Sequence, residues 1–255
     1  MDRLFRLLDT VLGLTFAAAL AFGVLSALPN TAHAADNWTT GIGPATAEQR
    51  NVGEFQAIAV SGSIKLKVRQ GGKEAVEVRA EANLLPLLET VVESSSSGKT
   101  LYIRWKKGSN LRIQRSPTVE VSVVQLQSLS TSGSSDIAVE PLKTPQLAVS
   151  IAGAGDVGLQ QLTGDELSVK IAGSGDFKAS GQVSKLKISV SGSGDVQTDG
   201  LKADDVSINI AGSGDAAVHA AKSLSVSIAG SGDVAYRGDA QVKSSIVGSG
   251  SVHRR

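Results

Sequence analysis

The motif Gly-x-Gly-Asp recurs through the second half of the chain, at Gly153-Ala154-Gly155-Asp156, Gly173-Ser174-Gly175-Asp176, Gly192-Ser193-Gly194-Asp195, Gly212-Ser213-Gly214-Asp215 and Gly230-Ser231-Gly232-Asp233. Partial copies flank it at Gly133-Ser134-Ser135-Asp136 and Gly248-Ser249-Gly250-Ser251, so successive leading glycines are 20, 20, 19, 20, 18 and 18 residues apart. Self-similarity at such a period marks one supersecondary unit stacked on copies of itself. It constrains architecture tightly and chemistry weakly.

Before each motif stands a strictly alternating run: Leu147, Val149 and Ile151; Leu167, Val169 and Ile171; Leu186, Ile188 and Val190; Val206, Ile208 and Ile210; Leu224, Val226 and Ile228. Period two with β-branched residues on one side is a half-buried strand. A shorter alternating run follows each aspartate, as in Val157 and Leu159 or Phe177 and Ala179, and a polar turn such as Thr163-Gly164-Asp165 or Asp199-Gly200 closes the unit. Units this short hold no crossover helix, so parallel neighbours form only if the chain coils. The expected fold is all-β: a parallel β-helix, right-handed by the usual chirality of parallel connections, with coils ~4.8 Å apart. The glycines mark its corner, where φ > 0 or the absence of a Cβ is needed. With 41% hydrophobic but 4% aromatic residues, the core is built from Val, Ile, Leu and Ala.

Residues 1–34 read as a signal peptide, because Arg3 and Arg6 precede an apolar run from Val11 to Leu28 and Ala32-His33-Ala34 fits the cleavage rule. An uncleaved anchor is the alternative, and either one implies export to the periplasm or beyond. Without cysteine there is neither a lipid-anchor residue nor a disulfide framework. Residues 35–49 read as a flexible leader. Residues 50–127 lack the glycine motif but keep alternation at Ala57 to Val60, Ile64 to Val68, Ala75 to Arg79, Leu101 to Trp105 and Val119 to Val123. They read as the first coils of the same helix with longer turns; the regular repeats occupy 128–255. Leu84 to Leu88, with Pro86 inside, reads as a short helical turn or loop.

The order Phe55, Ile58, Val60 and Gly62, then Ile64, Leu66, Val68, Gln70 and Gly71, then Val76 and Val78, Leu84-Leu85, Leu101 and Ile103, Val119 and Val121, followed by serial Ser-Gly-Ser-Gly-Asp units, resembles the bacterial DUF2807 family. That family is also called the autotransporter adhesin head GIN domain. The resemblance spans roughly residues 50–250 and implies an exported β-helical domain. The chain departs from a whole autotransporter in having no stretch for a membrane β-barrel after the repeats.

Three sets of residues are candidate sites. Asp136, Asp156, Asp176, Asp195, Asp215 and Asp233 would stack on one edge ~5 Å apart. The preferred reading is that each carboxylate accepts backbone N–H groups of its own turn. The alternative is a calcium ladder, for which the nine-residue period of calcium-binding repeats is missing. Outward on the longer strands stand Ser150, Lys170, Ser189, Asn209, Ser227 and Ser245, beside Ala148, Ser168, Lys187, Ser207, Ser225 and Lys243. This flat ladder suits self-association or docking on an extended polymer, or is ordinary solvated serine. The third set is Lys99, Arg104, Lys106, Lys107, Arg112 and Arg115, a basic run with no acidic residue within it. It could meet an anionic glycan or headgroup, or be a solvated hairpin face with Trp105 turned to the core.

Enzyme chemistry finds little support. There is no Gly-x-Ser-x-Gly elbow and no His-Glu-x-x-His, and the three histidines are His33, His219 and His253. Equivalent aspartates in equivalent turns do not supply the two unlike carboxylates that glycoside hydrolysis needs. A net charge of +1 gives no reason to expect nucleic acid. The expected function is a noncatalytic envelope module without cofactor, binding an envelope protein or a glycan and able to form homo-oligomers; a polysaccharide lyase or hydrolase is the alternative.

Overall fold

The structure, a computed structural model, describes residues 38–95 and 98–255, so the expected signal peptide lies outside the described residues. Its strands are, in order, β1 (Thr39–Thr40), β2 (Ala45–Arg50), β3 (Ala57–Gly62), β4 (Lys65–Gln70), β5 (Ala75–Glu81), β6 (Leu88–Ser95), β7 (Gly98–Trp105), β8 (Leu111–Arg112) and β9 (Thr118–Val123). The regular part comprises β10 (Ser128–Gly133), β11 (Asp136–Val139), β12 (Leu142–Lys143), β13 (Gln146–Gly153), β14 (Asp156–Gly173), β15 (Phe177–Gly192), β16 (Val196–Gly212), β17 (Ala216–Gly230), β18 (Val234–Arg237), β19 (Gln241–Gly248) and β20 (Val252–Arg254). No helix among the described residues is long and apolar enough to cross a membrane.

Stacked parallel coils are what the period demanded. Leu147, Leu167, Leu186, Val206 and Leu224 align in one inward column, and the positions two and four residues on do the same. All are buried, as are Val157, Leu159, Phe177 and Ala179 on the shorter side of their coils. Each coil therefore buries alternate residues in a narrow core, and burial of aliphatic side chains stabilises it by about 1.5–3 kcal/mol for each one fully removed from water.

The closing segment is not the polar turn expected. β14 runs unbroken through Thr163, Gly164 and Asp165, and Leu162 pairs with Leu142 on one side and Gly181 on the other. The reason is local: a Cβ on Gly164 would stand 2.2 Å from the Thr144 carbonyl, so glycine lets the backbone stay extended against the coil before it. Coils consequently have three paired sides.

The corner glycines form one column, Gly62, Gly133, Gly153, Gly173, Gly192, Gly212, Gly230 and Gly248, paired through successive strands and all with positive φ. Gly62 extends the repeat into the region where the motif is missing from the sequence. Its signal there is only Ser61-Gly62-Ser63, without the second glycine and the aspartate.

Residues 50–127 do contribute coils, but not in chain order. β3 pairs with β10 on one side and β7 on the other, and β4 lies likewise between β11 and β9, all parallel. The chain thus lays down a coil, moves outward to build the terminal one, then returns below the first. Antiparallel strands close that end, β6 on β7 and β5 on β9, with β2 on β5. At the end of the expected leader, Ala45–Arg50 is a strand paired antiparallel with β5 and exposed along most of its length. A 3-10 turn at Leu85–Leu87, with Pro86 near its start, supplies the short helical turn. At the other end β19 pairs with β17 alone among the described residues, and Val242 and Ile246, inward by register, are 37% and 38% exposed.

Candidate functional site

The aspartates stack as expected, but their hydrogen bonds run between coils and not within a turn. The backbone N–H of Asp176 donates to Asp156 Oδ1, that of Asp195 to Asp176, that of Asp215 to Asp195 and that of Asp233 to Asp215, at 2.8–3.0 Å. Ser251 ends the series by donating both its N–H and its hydroxyl to Asp233 Oδ1, at 2.8 Å each. In return the N–H after each aspartate reaches the next coil's carbonyl, as Phe177 does to Asp195 at 2.8 Å. The carboxylate replaces a backbone acceptor at a corner where the main chain turns aside. Each Oδ1 from Asp156 to Asp233 is thus taken by an amide, and no group of three or more His, Asp or Glu side chains among the described residues is placed to hold a metal ion.

The start of the series is irregular. Asp156 N–H donates to the Ser135 carbonyl at 3.0 Å, so the Asp136 carboxylate receives no amide among the described residues. Ser135, buried completely, fills the position of the second glycine, and its hydroxyl accepts Ile64 N–H at 3.2 Å and donates to the Gly62 carbonyl at 3.0 Å. Lys65 pairs in register with Asp136 and so occupies the aspartate column itself.

The longer strands bring the second candidate set together. Ser150, Lys170, Ser189, Asn209, Ser227 and Ser245 lie in one exposed column, paired neighbour to neighbour, with Ala148, Ser168, Lys187, Ser207, Ser225 and Lys243 in a parallel column two residues away. Ser130 and Ala59 continue the first column and Ser128 and Ala57 the second, a continuation that sequence reading did not reach because the repeat signal fails there.

The basic run does not act as one patch. Arg104 Nη2 donates to Glu93 at 2.7 Å and its Nε to Glu89 at 3.2 Å, both carried by β6 across the antiparallel pair. Those hydrogen bonds, Glu93 first, hold the guanidinium above its ordinary pKa range. Lys99 pairs with Glu54 at 3.6 Å, and Arg112 stands over the Trp38 ring at 5.8 Å. The acidic partners come from outside the run, which is why the run alone suggested a free cationic surface. Lys106, Lys107 and Arg115 form no ion pair among the described residues. Trp105 packs half-buried against the core, with its indole N–H buried and without a hydrogen-bond partner.

The fold recurs in known proteins. The family model described as "Putative auto-transporter adhesin, head GIN domain" matches residues 54–240. No curated protein matches the chain in sequence. Among solved structures, a "putative adhesin" from Bacteroides fragilis superposes with a TM-score of 0.78 at 23% identity, covering 85% of this chain and all 100% of that one. A "Putative lipid binding protein" from Parabacteroides distasonis gives 0.70 at 27% identity, covering 85% of this chain and 99% of its own. A "putative adhesin" from Parabacteroides merdae gives 0.68 at 20% identity, covering 85% and 98%.

Proposed function

We propose that this chain, which belongs to the DUF2807 family of adhesin head GIN domains, is a noncatalytic binding module working in the cell envelope or outside the cell. The observation that carries the reading is the continuous outward face of the long strands. Side chains that are small apart from Lys170 and Asn209 stand there in register from Ala59 through Ser130, Ser150, Lys170, Ser189, Asn209 and Ser227 to Ser245. Such a face offers a broad planar contact and no convergent acid, base and nucleophile. The names of the matching family and of the similar structures support adhesion to an external partner, and one of those names adds lipid as a partner class to test.

The test is binding of the purified protein to isolated envelope sacculi, to phospholipid vesicles and to immobilised surface glycans. Saturable binding to one of them, weakened by Ser189→Arg with Asn209→Arg on the planar face and with the melting temperature unchanged, supports the reading. Release of reducing ends or unsaturated sugars from a polysaccharide by the same preparation would overturn it in favour of a polysaccharide-active enzyme, as would no saturable binding to any of the three.

A further inference from the structure

The coil built by β19 and β20 leaves its core uncovered among the described residues. Val242 stands in register with Leu224, Val206, Leu186, Leu167 and Leu147, and Ile246 with Ile228, Ile210, Val190, Ile171 and Ile151. Those equivalents are at most 3% exposed, against 37% for Val242 and 38% for Ile246. The main chain is open as well. Ala148 donates its N–H to the Gln127 carbonyl of the preceding coil, and Lys243 is its register equivalent, so the Lys243 amide points to β17. Neighbouring residues of a strand in a parallel sheet point their amides to opposite sides. The N–H and C=O groups of Val242, Ser244 and Ile246 therefore face the free edge. That edge is 8 residues long, without proline and without an inward charge, and so lacks the devices by which sheets discourage pairing.

We infer that this edge pairs with the same edge of a second copy, β19 against β19, antiparallel about a twofold axis. The side chains select this occupant. An axis at Ser244 sets Val242 opposite the partner's Ile246, Ser244 opposite itself, Lys243 opposite the partner's Ser245 and Gln241 opposite the partner's Val247. Every residue with edge-facing backbone groups then meets another of its kind, and inward side chains meet inward ones. Slipping by one residue reverses both. An axis at Ser245 keeps the faces but sets Val242 on Gly248 and Ser244 on Ile246, which gives up the apolar pair. Ser244 is the polar residue in an inward column that otherwise runs Ile58, Leu129, Val149, Val169, Ile188, Ile208 and Val226. On the axis its hydroxyl finds a second hydroxyl.

Charge agrees with the same geometry. Lys243 is the one charged residue of β19, and the axis sets it opposite serine instead of its own copy. The axis also exchanges the other two sides of the coil, so that β20 with Arg254 and Arg255 comes over the partner's segment 238–240, which carries Asp239. Docking onto the opposite end of the stack fits less well. There β6 already covers the core, with Leu88 only 1% exposed, and its Glu89 and Glu93 are held by Arg104. Such a contact would also leave two free ends and grow into a filament, whereas the twofold closes. In the dimer the outward faces of the long strands continue from one copy into the other, which doubles the length of the planar surface.

This inference goes beyond the binding-module reading and stands or falls separately from it. The test is sedimentation equilibrium of the whole protein over a range of concentrations, with dipolar electron spin resonance on Ser189→Cys carrying a nitroxide, in a chain that has no other cysteine. Ser189 lies three strand steps from Ser245, so the twofold separates the two labels by three, one and three steps, ~34 Å. Head-to-tail stacking onto β6 separates them by three, one and six steps, ~48 Å. The expected result is a dimer with the shorter distance. Ser244→Pro removes an amide that β17 does not use and should weaken association at least tenfold with the circular dichroism spectrum unchanged; Ile246→Lys should do the same, and Ser227→Arg on the outward face should not. A monomer at every concentration, the longer distance, or a Ser244→Pro and Ile246→Lys pair that still dimerise as the parent does overturns the inference. Binding to envelope material is measured apart from this and is unaffected by that failure.

Discussion

Asp195 Oδ1 accepts the backbone N–H of Asp215 at 2.9 Å, and Asp215 passes the same bond on to Asp233. A stack of like charges is therefore also a stack of inter-coil hydrogen bonds. The carboxylates remain in contact with water, where repulsion across ~5 Å is small.

Removing one such acceptor should loosen two coils at once. Asp195→Ala is expected to lower stability by about 1 kcal/mol, the net worth of a hydrogen bond at a part-exposed site, and the melting temperature by ~2–4 °C for a domain of this size. Asp195→Asn keeps an oxygen in place and should lose less. Urea unfolding of the pair decides it: equal losses would mean that the negative charge, and not the acceptor, matters.

The corner column makes a sharper demand. Gly192 has φ 131° and a Cβ there would sit 2.2 Å from the Gly173 carbonyl. Gly192→Ala combines a strained backbone with a clash and should lose at least about 3 kcal/mol. Gly158→Ala, with φ in the ordinary strand range and open space for the methyl, should gain up to ~1 kcal/mol. Circular dichroism melts of the two variants should move in opposite directions.

Most of the coil was legible in the sequence because each signal is local to it. Leu167, Val169 and Ile171 declare an inward face by alternation, and the spacing of the glycines fixes which residues stack. The arrangement of 50–127 was not, because β3 lies between β7 and β10 and nothing in its own residues says which later segment pairs on which side. The aspartate bonds were misassigned for a related reason: a repeat gives the period of a side chain, not the coil toward which it reaches. Nor could the basic run reveal that Glu89 and Glu93, carried by another strand, would meet Arg104.

The Ser135 departure from the motif carries a prediction of its own. Its hydroxyl bridges Ile64 N–H and the Gly62 carbonyl, tying the first regular corner to the coil that precedes it in the stack. Ser135→Ala leaves a buried amide without a partner and should lose about 1–3 kcal/mol. Restoring the motif with Ser135→Gly should lose as much or more, although it makes the repeat more regular; Ser134→Ala, on an exposed neighbour, should lose almost nothing. Denaturant midpoints of the three variants provide the check, and a Ser135→Gly protein as stable as the parent would show that the hydroxyl bridge is dispensable.

Phe177 tests how far a disturbance travels along the stack. It is fully buried and pairs between Val157 and Val196, and no other coil places an aromatic ring at that inward position until Tyr236 occupies a neighbouring column. Phe177→Ala should open a cavity costing about 3–5 kcal/mol. In a solenoid each coil touches only its neighbours, so the loss should be local in structure even if it is large in energy. Amide hydrogen exchange should accelerate around Val157, Val169, Ile188 and Val196, while Leu66 and Val119, in coils beyond the adjacent ones, keep most of their protection. A uniform loss of protection from Leu66 to Val234 would instead mean that the whole stack unfolds as one cooperative unit.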